Sequence, residues 1–221
     1  MKLLVAIPSR ANFNGLSNVV DHCYTSETVS RVVVYDNGYQ DADERSAIED
    51  WGVRLDANGW SFYRMWNHAW RTAAEGKYGA VVLLNDDITL AEGGLMLAAS
   101  RFAENPKVGI VGLNYERPVS KGIGQALYRE VSGSYRNHGI GGHAFLVRAS
   151  TWGVAEPIDE RYHLWYGDDE LFGNMQRAGY TLEIALGVPV DHETSVTSVK
   201  FPGLLAMTGE DAELYASKWG R

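Results

Sequence analysis

Two patterns of apolar residues alternate along the first half of the chain. Short apolar runs at 3–7, 32–35, 80–84 and 108–113 are bounded by polar or turn-forming residues, as buried strands are. Helical patterns lie between them. The clearest starts near Trp60, where apolar residues recur every three or four positions: Phe62, Met65, Trp66, Ala69, Trp70 and Ala73. This alternation predicts an α/β fold, a single Rossmann-like domain whose mostly parallel central sheet is flanked by helices.

The second half has a different pattern. Residues 116–140 contain four glycines and little periodicity, which predicts a long loop, either functional or a solvated insertion. A strand at 144–147, a helix beginning near Gly167, a closing strand and turn at 180–192 and a final helix ending near Trp219 follow. We expect the fold to occupy 1–195, with a nucleotide-binding half at 1–115, an acceptor-side half at 116–195, and a C-terminal lid and helix at 196–221.

Composition narrows the functional classes. The chain has 221 residues and a net charge of −8, which argues against a broad nucleic-acid or anionic-membrane surface. Cys23 is the only cysteine, so neither an intrachain disulfide nor a zinc cluster is expected. Apolar runs are too short for a membrane span. We therefore expect a soluble, cytoplasmic protein.

The most informative motif is Asn85-Asp86-Asp87, directly after the apolar run 80–84. Adjacent carboxylates at the carboxyl edge of a sheet repel each other unless a cation or a proton relieves them. A hard divalent ion that bridges protein oxygens to phosphates is the usual relief, and it indicates a nucleotide-using enzyme. The alternative is that the three residues only form a turn.

A second acidic group is Asp168-Asp169-Glu170, at the predicted start of a helix. Carboxylates at a helix N-terminus are stabilised by the helix dipole, so a purely structural role is an open alternative. Trp165 and Tyr166 precede the group and could stack on the apolar face of a sugar. A carboxylate in such a partly dry pocket suits a general base.

Four single residues have both a functional and a structural interpretation. His192, at the end of the closing strand, is a candidate metal ligand or an ordinary strand-end histidine. Asp36 either caps the turn Asp36-Asn37-Gly38 or accepts hydrogen bonds from a nucleotide. Arg64 and Asn67 are candidate ligand contacts or surface residues. Neither the dinucleotide-binding glycine motif nor the P-loop motif occurs, so phosphates would need a metal ion and basic side chains.

In their order, these motifs resemble those of glycosyltransferases with the GT-A fold, and most of all the large inverting family 2. The resemblance covers about residues 1–195 and depends on the first strand with Pro8-Ser9-Arg10, Val33 to Gly38, Asn58-Gly59 with Asn67, Leu83 to Asp87, Gly141 to Phe145, and Tyr166 to Glu170. His192 and Lys218-Trp219-Gly220 also fit the family pattern. One departure is Asn85, which stands where the family's D-x-D motif begins with Asp.

The resemblance implies a site that binds a nucleoside-diphosphate-sugar donor and Mn²⁺ or Mg²⁺. It implies metal ligation by Asp87 and His192 and proton removal by Asp169, with Asp168 as the alternative base. The implied donor-binding residues are Pro8, Ser9, Arg10, Asp36, Arg64, Asn67, Asn85 and Asp86. Those implied on the acceptor side are Gly142, His143, Trp165, Tyr166 and Glu170. The loop 116–140 and the segment 203–209 would close over the donor.

The implied reaction moves a hexose or pentose to an acceptor hydroxyl with inversion. The sequence does not define the acceptor, which could be a glycan, a small molecule or a modified nucleic acid. A sugar-phosphate nucleotidyltransferase is a second interpretation, but the turn after the first strand is poor in the glycine and basic residues that hold a triphosphate. A non-catalytic module that binds a nucleotide sugar is the third.

Overall fold

The computed structural model describes residues 1–38, 41–115, 119, 122–124, 127–131, 140–193 and 203–220. Its strands are β1 (Leu3–Ser9), β2 (Val29–Asp36), β3 (Val53–Asp56), β4 (Ala80–Leu84), β5 (Ile88–Leu90), β6 (Val108–Asn114), β7 (Tyr128–Val131), β8 (Ala144–Arg148) and β9 (Thr181–His192). Its helices are α1 (Phe13–Tyr24), α2 (Ala42–Trp51), α3 (Phe62–Glu75), α4 (Gly94–Glu104), α5 (Gly167–Arg177), α6 (Gly203–Ala206) and α7 (Thr208–Trp219). A 3₁₀ turn, Ala149–Thr151, follows β8.

The strands form one mixed sheet in the order β3-β2-β1-β4-β8-β6-β9-β5, with β7 also paired to β9. The first four strands are parallel, as the alternating pattern predicts. From β8 onward the prediction of a mostly parallel sheet needs correction, because β8 runs antiparallel to both β4 and β6, and β5 and β7 run antiparallel to β9. Pairing between strands distant in sequence determines this half, and local periodicity carries no signal for it.

The strand order and directions determine which strand ends lie together at one edge of the sheet. Because β8 is antiparallel to β4 and β6, and β9 is parallel to β6, the ends of β4, β6 and β9 lie beside the start of β8. The carboxyl ends of β1 and β2 lie at the same edge. That edge is where open α/β sheets bind their ligands.

The sheet is buried on both faces, which explains its nearly continuous apolar strands. In β1, Leu3, Val5 and Ile7 point to the side covered by α1, α2 and α4, whereas Leu4 and Ala6 point to the side covered by α3 and α5. The predicted apolar face of α3 is confirmed, since Trp66 and Trp70 are buried on that second side. The N-cap of α3 is Ser61, whose side chain accepts from the Arg64 N–H.

Within the predicted loop 116–140, only 119, 122–124, 127–131 and 140 are among the described residues. Tyr128–Val131 form strand β7 against β9, so the interpretation of this range as a continuous loop was wrong at that point. A four-residue strand leaves little periodicity in the sequence and is defined by its distant partner. Part of the predicted lid, at 203–209, is helical, whereas 194–202 lie outside the described residues. No helix in the described ranges has the length and apolar character needed to cross a bilayer.

Candidate active site

The turn after β4 is tied to the turn after β1 through Asp86. The Ser9 hydroxyl donates to Asp86 Oδ2 at 2.8 Å, the Arg10 N–H donates to the same oxygen at 3.4 Å, and Asn12 Nδ2 donates to the Asp86 carbonyl at 2.9 Å. Burial raises the pKa of Asp86 to about 6, and the neighbouring Asp87 charge adds to this rise. Asp86 therefore holds two turns together, and its predicted contact with the donor stays a prediction.

Helix α1 starts directly beside this turn because Gly15 lacks a side chain. A β-carbon at Gly15 would collide with the Asp86 carbonyl oxygen and the Asn12 side chain. A cavity of about 470 Å³ opens next to the place where Gly15 lies against the Asp86 carbonyl. Its lining residues are Gly15, Asn18, Asp87, Ile88, Thr89, Tyr115, Asp191, His192 and Glu193.

Asp87 and His192 meet at the wall of this cavity. Asp87 Oδ1 lies 3.0 Å from His192 Nε2, and their side chains are only 7% and 15% exposed. The two atoms are within hydrogen-bonding distance but not in hydrogen-bonding alignment, and neither has another hydrogen-bond partner among the described residues. Two converging, unsatisfied ligand atoms of this kind fit a shared cation.

The protein supplies a pair of ligand groups at this point. Within the described part of the chain, three or more His, Cys, Asp or Glu side chains do not converge into a metal-binding group. An oxygen-preferring divalent ion commonly completes its coordination with water and phosphate oxygens, so a pair of protein ligands suits an ion bound together with a phosphorylated ligand. The predicted Asp87 and His192 thus fit the metal implied by the sequence, with ligand phosphates as the missing donors.

The imidazole ring of His143 packs against that of His192. The two imidazole rings stack with centroids 4.6 Å apart and an interplanar angle of 12°, and Tyr115 contacts the His143 ring edge-on at 4.8 Å. Burial, together with the proximity of His192, lowers the pKa of His143 to about 3. His143 therefore stays neutral at physiological pH and packs against the metal-ligand candidate His192, and its predicted contact with the acceptor stays a prediction.

The second acidic group, Asp168-Asp169-Glu170, begins beside Gly142, which precedes His143 in the chain. The Asn85 N–H donates to the His143 carbonyl at 2.9 Å, which places Gly142 beside the β4 turn. A β-carbon on Gly142 would lie 2.6 Å from Asp168 Oδ2. Asp168 Oδ1 accepts from the Asp169 N–H at 3.0 Å, and both residues are in the first turn of α5. The structure therefore brings Asp168 and Asp169 to the edge that carries Asn85 and Asp87.

The aromatic and acidic residues around α5 contact the C-terminal helix. Tyr166, with φ of +66°, stacks on Tyr215 with ring centroids 5.3 Å apart. Glu170 is buried, and its Oε1 accepts from Lys218 Nζ at 2.6 Å. The Trp165 N–H donates to Asp211. Tyr166 and Glu170 therefore support α5, and their predicted contacts with the acceptor stay predictions.

The predicted donor-binding residues separate into two groups. Asp36 is at the same edge, fully buried, and its Oδ2 accepts from Arg54 at 2.9 and 3.0 Å and lies 3.2 Å from Arg45 Nε. Asn67 is engaged elsewhere, since its amide exchanges hydrogen bonds with the Ile158 backbone at 2.8 and 3.0 Å. Arg64 is exposed, and its guanidinium lies over the Trp60 ring. The structure does not bring Asn67 to the Asp87 turn.

Several residues near the cavity were not predicted from the sequence. Asn12 follows an irregular turn, and Tyr115 follows β6 at the boundary of the predicted loop. Asn18, Thr89, Asp191 and Glu193 line the cavity. Tyr115 could have been identified by its position after a buried strand that ends at the same edge, because four other strand ends there carry predicted site residues.

Comparison with known proteins gives a match in structure and none in sequence. No protein-family model matches the chain, and no curated protein sequence matches it. The fold is similar to that of GalNAc-T7, solved with UDP, GalNAc and Mn²⁺, at a TM-score of 0.63 and 9% identity over 87% of this chain and 44% of that chain. It is also similar to that of S. aureus TarS, at a TM-score of 0.63 and 13% identity over 95% of this chain and 39% of that chain. The chain thus spans less than half the length of either structure. Both are GT-A glycosyltransferases, and the chain accordingly has the GT-A fold.

Proposed function

We propose that the chain is a glycosyltransferase that moves a sugar from a nucleoside-diphosphate donor to an acceptor hydroxyl, with inversion and with the help of Mn²⁺ or Mg²⁺. The observation that carries this proposal is the convergence of Asp87 and His192 at the cavity, on the sheet edge that also bears Asp168 and Asp169. The GT-A fold supports the assignment, and the UDP and Mn²⁺ of the GalNAc-T7 structure name the first ligands to test.

The charge of the cavity supports a cation. Asp87, Asp191 and Glu193 line it, and its described lining residues include neither lysine nor arginine. A diphosphate would be repelled by three carboxylates unless a divalent ion lay between them. Asp87 and His192 would hold that ion, which would neutralise the charge that develops on the leaving diphosphate.

Proton removal is assigned to Asp169. The assignment follows the resemblance of Tyr166 to Glu170 to the acidic helix start of the family. Asp168, whose Oδ1 accepts from the Asp169 N–H, is the alternative base. Asp169 then accepts the proton of the acceptor hydroxyl as that oxygen attacks the anomeric carbon on the face opposite the diphosphate, which gives inversion.

Donor binding is assigned to the carboxyl ends of β1 and β2. Asp36 is held rigidly by Arg54 and Arg45 beneath this edge, so it fixes the end of β2 against which a base or ribose would bind at low entropic cost. The Pro8–Arg10 turn is fixed in turn by Asp86. We propose that these two turns hold the nucleoside, and that Asn85 faces the ribose or a metal-bound water.

The test is release of nucleoside diphosphate from a panel of UDP-, GDP- and TDP-linked sugars, with and without Mn²⁺, and with candidate acceptors. Turnover in Mn²⁺ that is lost in Asp87→Asn supports the proposal. Asp50→Asn is the matched control, because Asp50 is an exposed carboxylate at the end of α2, near the amino edge of the sheet. Pyrophosphate release from a nucleoside triphosphate and a sugar phosphate, without turnover of any donor sugar, would instead indicate a nucleotidyltransferase.

A further inference from the structure

A carboxylate of the C-terminal helix anchors the segment in front of α5. Asp211, in the first turn of α7, is only 1% exposed. Its Oδ1 accepts from the His163 N–H at 2.8 Å, and its Oδ2 accepts from the Leu164 and Trp165 N–H groups at 3.0 and 2.9 Å. Three consecutive backbone donors thus converge on one side chain from another part of the chain.

Losing the bonds between Asp211 and residues 163–165 should be costly in free energy. A buried carboxylate requires strong hydrogen bonds to offset the loss of its hydration, and bonds from N–H groups to a charged acceptor are stronger than neutral ones. Deleting the Asp211 side chain would leave three backbone donors in a partly buried segment without their acceptor. Asp211 therefore restricts the position of the segment 163–165.

The same segment is held from the opposite side by α3. The hydroxyl of the buried Tyr63 donates to the Leu164 carbonyl at 2.7 Å, and the Gly167 N–H is hydrogen-bonded to Tyr63. Gly167 has no room for a side chain, since a β-carbon there would collide with the Tyr63 ring. The chain then enters α5 directly with Asp168 and Asp169.

We propose that Asp211 is a positioning residue for the transfer reaction: it fixes residues 163–167 against Tyr63 and thereby sets the position of Asp169 at the sheet edge. This inference rests on the proposed function and adds a role for α7, which acts as a fixed clamp on the general base. Lys218, on the same helix, strengthens the clamp through its bonds to Glu170 and Asp159.

The test compares Asp211→Asn and Asp211→Ala with Glu210→Gln. Glu210 is the neighbouring carboxylate of α7, and its bond to the His163 side chain is solvent-exposed, so it is a matched control. The assay is hydrolysis of the UDP-, GDP- and TDP-linked sugars of the donor panel. We expect kcat to fall by about 10- to 100-fold in Asp211→Asn and further in Asp211→Ala. The donor KM should stay within about twofold of wild type. Glu210→Gln should retain wild-type kcat.

Amide hydrogen exchange provides a readout that does not depend on catalysis. The amides of residues 163–165 should lose protection in both Asp211 variants and keep it in Glu210→Gln. Equal kcat in Asp211→Ala and wild type would overturn the inference while leaving the proposed function intact. A wild-type protein that neither hydrolyses any donor nor transfers its sugar to any candidate acceptor would overturn the proposed function and this role with it.

If neither Asp211 variant folds, Tyr63→Phe tests the same clamp from the α3 side. That substitution keeps the ring and removes only the hydroxyl that bonds Leu164 and Gly167. A fall in kcat at unchanged donor KM would support the clamp, and unchanged kcat would contradict it.

Discussion

Gly142 and Asp168 are in such close contact that a β-carbon at the glycine would lie 2.6 Å from the carboxylate oxygen Oδ2. Any side chain at position 142 must therefore push against the Asp168 side chain, next to Asp169 in the first turn of α5. Displacing a reacting group by about 1 Å can lower a rate about 100-fold. Gly142→Ala should accordingly lower kcat by about 10- to 100-fold and leave donor affinity nearly unchanged, as measured by steady-state kinetics and calorimetry.

Gly79→Ala is the matched control for this substitution. A β-carbon at Gly79 would meet only the side chain of Met1, which is half exposed and can move away. Gly79 precedes β4 at the opposite edge of the sheet. Equal kcat values in Gly142→Ala and Gly79→Ala would show that the contact with Asp168 has no catalytic importance.

Replacing Asp169 tests its role as the base. Asp169→Asn keeps the size of the side chain and removes its ability to accept a proton, so turnover should fall by about 10²- to 10⁴-fold. Donor affinity, measured by calorimetry, should stay within about threefold of wild type. Asp168→Asn should reduce turnover less. If Asp168→Asn has the larger effect on turnover, the two assignments must be exchanged.

The ion pair beneath the proposed nucleoside site should contribute strongly to stability. Asp36 is fully buried, and the Arg54 side chain is 16% exposed, whereas the Arg45 side chain is 40% exposed. Removing the partner of a buried charge costs about 3–5 kcal/mol, whereas a surface pair contributes about 0–1 kcal/mol. Arg54→Met should therefore lower the free energy of unfolding by about 3 kcal/mol, and Arg45→Met by less than about 1 kcal/mol, in urea titrations. Equal losses would contradict this interpretation.

Asp86 should give the stability a characteristic pH dependence. Its pKa is raised from 3.8 to about 6 because the carboxyl is buried. A folded-state pKa above the unfolded one means that the Asp86 contribution to stability is fully present below pH 3.8 and is lost as the pH rises through about 6.

Asp86→Asn removes this titration and keeps an acceptor for Ser9. The free energy of unfolding of wild type minus that of the variant should therefore fall by about 1.4 kcal/mol per pH unit between roughly pH 4 and 6. Chemical denaturation at several pH values in this window measures the difference. A difference that does not change with pH would show that Asp86 is ionised in the folded state throughout.

The sequence predicts the strands and helices whose signals are local. The run 80–84 matches β4 residue for residue, and the apolar spacing after Trp60 matches α3. Strand β7 and the antiparallel placement of β8 escape prediction, because each depends on a partner strand that is distant in sequence.

The distinction between local signals and contacts that depend on distant segments also applies to the candidate site. The resemblance implied that Asp87 and His192 lie together, and the structure places both at the same edge, Asp87 after β4 and His192 at the end of β9. The engagement of Asp86 by Ser9, of Asn67 by Ile158 and of Glu170 by Lys218 could not be predicted, since each bond depends on the side-chain direction of two distant segments. The role of Asp211 has the same origin. Residue type and strand position therefore identify which carboxylates reach the edge, and tertiary contacts decide which of them are available to a ligand.

The central claim is that Asp87 and His192 jointly hold a divalent ion against a donor diphosphate. The most direct measurement is an anomalous-difference map at the manganese edge from crystals soaked with MnCl₂ and UDP, or with the nucleoside diphosphate that the donor panel identifies. The account predicts one strong peak within bonding distance of Asp87 Oδ1 and His192 Nε2, in contact with the diphosphate and absent in Asp87→Asn. A diphosphate bound at this edge with no manganese between it and Asp87 would contradict the claim.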